Sequence, residues 1–228
     1  MKIVLENLTA GYGGRTVVRG ADMCFGAGQM WAVVGANGAG KSTLLKTVVG
    51  LSAPVCGRVV RQGLVRRDLA YLPQRSEIDR SLPLTVFELA AMGLWHEIGF
   101  SGRVRPAQRE RVRRALVQVG MWDSARRLIG SLSEGQFRRV LFARLLVQEA
   151  AFLLLDEPFD AVDAETAGVL LNVLRDCNRA GRAVVAVLHD YGQVRAYFPY
   201  TLVLADGGMR AGRTEEVLGA SVQAGEAV

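Results

Sequence analysis

The sequence has 228 residues, half of them hydrophobic, enough for one domain, or one domain with an insertion, around a sizeable core. No unbroken apolar run is long enough to cross a bilayer, and the N-terminus opens on an alternating pattern, Ile3 to Leu8, and not on a targeting segment, so a soluble, cytoplasmic chain is expected. A net charge of +6, nearly all of it arginine because lysine occurs only at Lys2, Lys41 and Lys46, is compatible with nucleic acid, acidic lipid headgroups or a nucleotide-binding protein with a basic surface. Cys24, Cys56 and Cys177 are scattered and odd in number, which excludes a disulfide framework or a metal-ligand spacing and predicts reduced, mostly buried thiols.

The first seventy or so residues read as short strands joined by glycine turns. Tyr12, between Gly11 and Gly13-Gly14, presents an aromatic ring that can stack on a base or simply pack on the surface. The apolar run Met30 to Val34 then leads into Gly35-Ala36-Asn37-Gly38-Ala39-Gly40-Lys41-Ser42-Thr43 and an apolar helical pattern at Leu44, Leu45, Val48 and Val49. Strand, G-x-x-x-x-G-K-S and helix in this order are the setting of a phosphate-binding loop. Its glycines leave room for backbone amides to wrap phosphates, and the helix aims its positive end at them. Lys41 would sit on the β- and γ-phosphates and the Ser42 hydroxyl on Mg²⁺.

A strand at Leu69 to Leu72 stops at Pro73 and leaves Gln74 at its end. Thr85 with Glu88 forms a capping box, and from there to about Gly130 the pattern is helical. This is the candidate helical insertion, and it carries the arginine run Arg103 to Arg114, which reads as a solvated helix face, with lipid headgroups or an acidic partner as the alternative and nucleic acid behind both. Leu132-Ser133-Glu134-Gly135-Gln136 opens an amphipathic helix; Ser133 and Gln136 can form its cap, and the same free amides and hydroxyl make an anion site.

Ala151 to Leu155 is a continuous apolar run, as expected of a strand covered on both faces, and ends in Asp156-Glu157-Pro158. Adjacent carboxylates at a buried strand end are costly unless they face a cation or a reacting water. Asp156 would hold Mg²⁺, and Glu157 would orient or deprotonate the attacking water. A helix from Asp163 to about Arg179 leads to the strand Ala183 to Leu188, and then to His189, placed where a residue contacting a γ-phosphate belongs. The chain closes with a strand at Thr201 to Leu204, a turn at Asp206-Gly207-Gly208, a short helix from Thr214 and a tail expected to be mobile.

With the phosphate loop, Gln74, the Ser133 helix start, the Asp156-Glu157 pair and His189 in this order, the sequence resembles the ATP-binding-cassette (ABC) ATPases over nearly its whole length. The resemblance implies an α/β fold, with a phosphate-loop NTPase core of mostly parallel sheet flanked by helices and an N-terminal antiparallel β subdomain. It implies a single ATP-binding domain, residues 1–228, whose helical subdomain is inserted at about 75–145 and whose tail begins at about 219. It makes Tyr12 the adenine-stacking residue and Gly35 to Thr43 the Walker A loop. Gln74 becomes the Q-loop residue that senses Mg²⁺ and couples to the membrane partner, and Leu132 to Gln136 the signature motif, with Ser133, Gly135 and Gln136 on the nucleotide. Asp156 becomes the Walker B acid, Glu157 the catalytic base, Asp163 the D-loop Asp and His189 the switch histidine. Ser42, Gln74 and Asp156 would serve the Mg²⁺ of MgATP.

Two such subunits face head to tail, so the expected partners are a second copy of the chain, permease subunits and, indirectly, an extracytoplasmic metal-binding protein, with no nucleic acid. The expected location is peripheral, on the cytoplasmic face of the cell membrane. Glu134 replaces the usual second signature glycine; a carboxylate there would repel a γ-phosphate if it pointed inward, so it is expected to point outward. The stretch Phe159 to Asp163 departs from the usual Ser-Ala-Leu-Asp. The segments Tyr71 to Arg75, Leu82 to Val86 with Met92-Gly93, and Glu157 to Phe159 are similar to the importers of zinc, manganese and iron, with zinc foremost. Two other readings stay open: an ABC ATPase of DNA repair or translation, and a small-molecule kinase on a phosphate-loop scaffold.

Overall fold

Alternating residues at the N-terminus become β1 (Lys2–Tyr12), which turns at Gly13-Gly14, both at positive φ, into the antiparallel β2 (Arg15–Gly26). The structure is a computed structural model that describes residues 1–74, 78–99, 102–160, 162–205 and 208–223. The chain then leaves this hairpin for β3 (Met30–Gly35) and α1 (Lys41–Val49) before β4 (Cys56–Gln62) returns to the other edge of β1. At 11 and 12 residues, β1 and β2 are longer than the short strands expected, and shifts of register after Leu5 and Leu8 bend them. Burial of the cysteines is also corrected. All three thiols are free, but Cys24 and Cys56 are exposed and only Cys177 is buried. An antiparallel sheet can leave one face to water, and Cys24 alternates outward between Met23 and the buried Phe25.

A second sheet has six strands in the order β5 (Leu69–Leu72), β6 (Phe152–Leu155), β7 (Ala183–Val187), β3, β8 (Tyr200–Ala205) and β9 (Gly208–Arg213). The first five are parallel and β9 is antiparallel. Period-2 alternation sends the two faces of its strands into different cores. Met30, Ala32, Val34, Leu153 and Leu155 pack with the helices, whereas Trp31, Val33, Phe152 and Leu154 pack with α1 and the three-stranded sheet. That is why these strands read as unbroken apolar runs. Asp206 and Gly207 of the expected last turn and Arg75 lie outside the described residues, as does the tail from 224.

Between β5 and β6 lie α2 (Val86–Ala91), α3 (Trp95–Ile98), α4 (Pro106–Gln118) and α5 (Glu134–Val147); after β6 come α6 (Ala164–Arg179), α7 (Tyr191–Tyr197) and α8 (Thr214–Gln223). Leu89, Leu94, Leu116 and Phe142 join α2, α4 and α5 in one core. α5 is not the amphipathic helix expected: nine of its residues are buried around its circumference, because α2, α4 and β5 surround it. The arginine face of α4 is solvated as expected at Arg109, Arg113 and Arg114, with Arg111 the exception. The Arg111 side chain, 15% exposed, is held between Glu97 and Glu149, and Arg113 pairs with Glu110 at 2.7 Å.

The capping box at Thr85 forms as expected. Its Oγ1 accepts from Glu88 N at 3.2 Å, and Glu88 Oε2 accepts from Thr85 N at 2.8 Å. These bonds hold the Glu88 carboxyl below its ordinary pKa. Thr85→Ala is expected to lower unfolding free energy by about 1 kcal/mol, read from the midpoint shift in urea.

Candidate active site

The loop after β3 is shaped by close backbone approach. A Cβ at Gly35 would sit 2.2 Å from Leu204 O on β8, and one at Gly40, whose φ is +94°, would sit 2.7 Å from the Val17 side chain on β2. Glycine alone fits both positions. Lys41, first residue of α1 and 5% exposed, folds back so that Nζ donates to Gly35 O at 2.8 Å and Ala36 O at 3.0 Å. Burial lowers its pKa, against the opposing pull of Glu157 and Asp156. The loop thus presents a nearly dry ammonium beside backbone amides at the positive end of a helix, a ready site for phosphate oxygens. Asn37, Gly38, Ala39 and Thr43 line the same cleft, about 910 Å³ in volume, and Tyr12 stands at its rim with 83% of its surface exposed.

Because β3, β5, β6 and β7 are parallel, their C-terminal ends share one edge of the sheet, and the residues that follow them meet there. Asp156, 1% exposed, accepts from Ser42 Oγ at 2.9 Å and from the Tyr71 hydroxyl at 3.3 Å. Burial raises the pKa of Asp156 and pushes that of Tyr71 above its usual range. A buried carboxylate and a serine hydroxyl, both hard oxygens, form a donor set that fits Mg²⁺.

Glu157 is held between two neighbours: the Gln74 side-chain amide donates to Oε2, and His189 Nε2 lies 2.8 Å from Oε1. Burial raises its pKa, with Asp160 adding to the effect and His189 opposing it. Its φ of +48° lies in the left-handed region, which a glutamate adopts only when its surroundings enforce it. A carboxylate of raised basicity beside an imidazole, at the mouth of a phosphate cleft, can take a proton from water.

The structure therefore brings together Tyr12, Gly38, Lys41, Ser42, Gln74 and Glu157, along with Asp156 and His189. Ser133, Gly135 and Gln136 stand apart from the walls of that cleft. Ser133 caps α5, accepting from Gln136 N at 3.2 Å while Gln136 Oε1 accepts from Ser133 N at 3.1 Å. Glu134, whose side chain is 62% exposed, is held 2.8 Å from Arg80, whose guanidinium also donates to Leu132 O and lies 4.9 Å above the Phe137 ring. Asp163 caps α6 by accepting from Thr166 N at 2.8 Å; Ala161, in the stretch before it, lies outside the described residues.

Three contributors went unmarked in the sequence: Tyr71, Arg80 and Arg138. A signal existed for Arg138, a cation in line with Leu141, Phe142 and Leu145 on a buried helix stripe.

The ABC transporter family model matches residues 18–160. The chain is 38% identical over 225 residues to the zinc transport system ATP-binding protein TroB of Treponema pallidum, spanning 94% of this chain and 84% of that one. It is 35% identical over 219 residues to the manganese transport system ATP-binding protein MntB of Bacillus subtilis, spanning 94% and 88%. A solved inward-facing ABC transporter, described as of metal-chelate type, superposes with a TM-score of 0.84 at 28% identity over 95% of this chain and 84% of that chain. Cleft, sheet edge and relatives agree, and the chain belongs to the ABC transporter family as one of its ATP-binding, ATP-hydrolysing subunits.

Proposed function

We propose that this chain powers a membrane importer for a divalent metal ion, zinc foremost and manganese or iron next, by hydrolysing MgATP. The observation that carries the reading is the meeting of Lys41, Asp156, Glu157 and His189 around one cleft, in a chain whose relatives are zinc and manganese transport ATP-binding proteins. The metal is cargo: among the described residues no three His, Cys, Asp or Glu side chains are grouped to hold one. An extracytoplasmic binding protein and a permease would select the ion. No described helix is long and apolar enough to cross a membrane, which supports a peripheral subunit on the cytoplasmic face, docked on that permease.

In the proposed cycle Tyr12 stacks on the adenine, the amides of Asn37 to Thr43 wrap the phosphates, and Lys41 binds the β- and γ-phosphate oxygens. Ser42 and Asp156, with Gln74, hold Mg²⁺, which supplies charge neutralisation on the phosphates when bound. Glu157 accepts the proton of the attacking water, and His189 steadies its carboxylate and meets the γ-phosphate. Ser133, Gly135 and Gln136 complete the site of a second copy, head to tail, since within one chain they stand apart from the cleft. Arg80 is compatible with that assignment because it offsets the Glu134 charge that would otherwise repel an anion there.

The test is deletion of the gene in its host under metal limitation, with zinc, manganese and iron measured by mass spectrometry. A selective loss of one metal, restored by the wild-type gene and not by Glu157→Gln, is expected. Unchanged levels of all three metals in a host with no second importer would overturn the reading.

A further inference from the structure

Arg138 is 5% exposed and occupies a helix stripe that an apolar residue would fill at no electrostatic cost. Its guanidinium has five N–H donors, and each meets a main-chain carbonyl. Nη1 donates to Pro73 O at 3.0 Å and Gln74 O at 2.8 Å, at the end of β5. Nη2 donates to Asp156 O at 3.3 Å and Glu157 O at 2.7 Å, and Nε to Pro158 O at 3.1 Å, all beyond β6. Among the described residues no carboxylate forms a salt bridge with it. Burial lowers its pKa, opposed by Asp160, Asp156, Glu134 and Glu157 at longer range.

A buried cation spent wholly on carbonyls of two loops is hard to explain by packing, because methionine or leucine would fill the same space without desolvating a charge. The fork instead continues the tie between two segments past the last main-chain bond that joins them, from Asp156 N to Leu72 O at 2.8 Å. It also grips the carbonyl of Glu157, the residue whose backbone is held in the left-handed region.

We propose that Arg138 is a positioning residue that makes the Gln74 loop and the Glu157 loop move as one body, so that a displacement of either is delivered to the other. The proposal rests on the reading of Glu157 as the base and Gln74 as the residue facing the membrane partner. A planar fork can span both loops, whereas a lysine ammonium donates from a single point and cannot. Glu157 and Gln74 are thereby coupled twice, once through their side chains and once through their backbones by way of Arg138.

The experiment measures steady-state ATP hydrolysis by the purified full chain and by Arg138→Lys, Gln74→Ala and the double variant, each normalised to its folded fraction. Arg138→Lys is expected to keep KM for ATP within about twofold and to lose at least about tenfold in kcat, a split that a loss of stability would not produce. In the Gln74→Ala background, which removes the side-chain tie but keeps the carbonyl that Arg138 holds, the same change is expected to cost more than it does in the wild type, because no tie between the two loops is then left. An unchanged kcat per folded molecule, or fully multiplicative effects, would overturn the proposal. If Arg138→Lys does not fold, native-state hydrogen exchange on the wild-type chain decides. Amides of Gln74 and of Glu157 to Asp160 are expected to exchange through one shared opening, and separate openings would overturn the linkage. Wild-type turnover by Glu157→Gln would instead remove the base assignment itself.

Discussion

Glu157→Gln is expected to bind ATP as tightly as the wild type and to hydrolyse it roughly 10²–10⁴-fold more slowly. The amide preserves the size of the side chain between Gln74 and His189 but has no lone pair basic enough to take a proton from water. In the wild type the carboxylate must be ionised to act, and burial raises its pKa above the free value of 4.5. The acid limb of kcat/KM is therefore expected at higher pH than a solvated glutamate would give, with activity rising as pH climbs through the raised pKa. A pH–rate profile should show that limb in the wild type and lose it in the variant.

Stability runs the other way. Asp156 and Glu157 both have raised pKa values, so the folded chain holds their protons more tightly than the unfolded chain does. Their contribution is present below the unfolded pKa and is lost as pH rises through the folded one. Without a divalent cation, Glu157→Gln is thus expected to melt higher than the wild type at pH 7, with the gap closing toward pH 4. A variant that melts lower at neutral pH would contradict the buried-charge account of this residue.

Lys41→Met is expected to weaken ATP binding by roughly 10–100-fold, the size of a lost charge-assisted hydrogen bond to phosphate, while leaving the nucleotide-free chain as stable as before or more so. Methionine keeps the aliphatic stem inside the loop. The ammonium it removes is one whose pKa burial has lowered, so in the folded state its charge is a burden that eases as pH rises through that lowered value. Two carbonyls, Gly35 O and Ala36 O, lose their donor, but backbone amides and water at the cleft mouth can replace it. Isothermal titration with ATP and thermal unfolding of the same preparation check both halves. Equal loss of affinity and of melting temperature would mean that Lys41 is structural.

How much of this was legible in the sequence depended on whether a feature is local. The phosphate loop, the caps at Thr85 and Ser133, and the buried strands were readable because each is fixed by spacing within about ten residues. The β-subdomain strands were read too short because glycines such as Gly20 look like breaks, whereas in the structure β2 continues through Gly20 at positive φ. The two exposed cysteines were misread because thiols are most often buried, and which face of an antiparallel strand meets water is settled by the neighbouring sheet. Arg80, Tyr71 and Arg138 act across 54, 85 and up to 65 positions of chain, so the partners that explain them have no sequence proximity. Asp156, Glu157 and His189 announced themselves because polar residues at the ends of buried strands have few other reasons to be there.

The left-handed backbone at Glu157 bears on how this chain would fare under laboratory evolution. Glycine or asparagine would relieve a conformational cost of about 1–3 kcal/mol and remove a poorly solvated carboxylate in the same step. A library screened only for soluble expression or heat resistance should accumulate those replacements at position 157 and yield well-behaved, inert protein. Only a screen that demands turnover keeps the glutamate, so tolerance at this one position reveals which of the two pressures a lineage has been under.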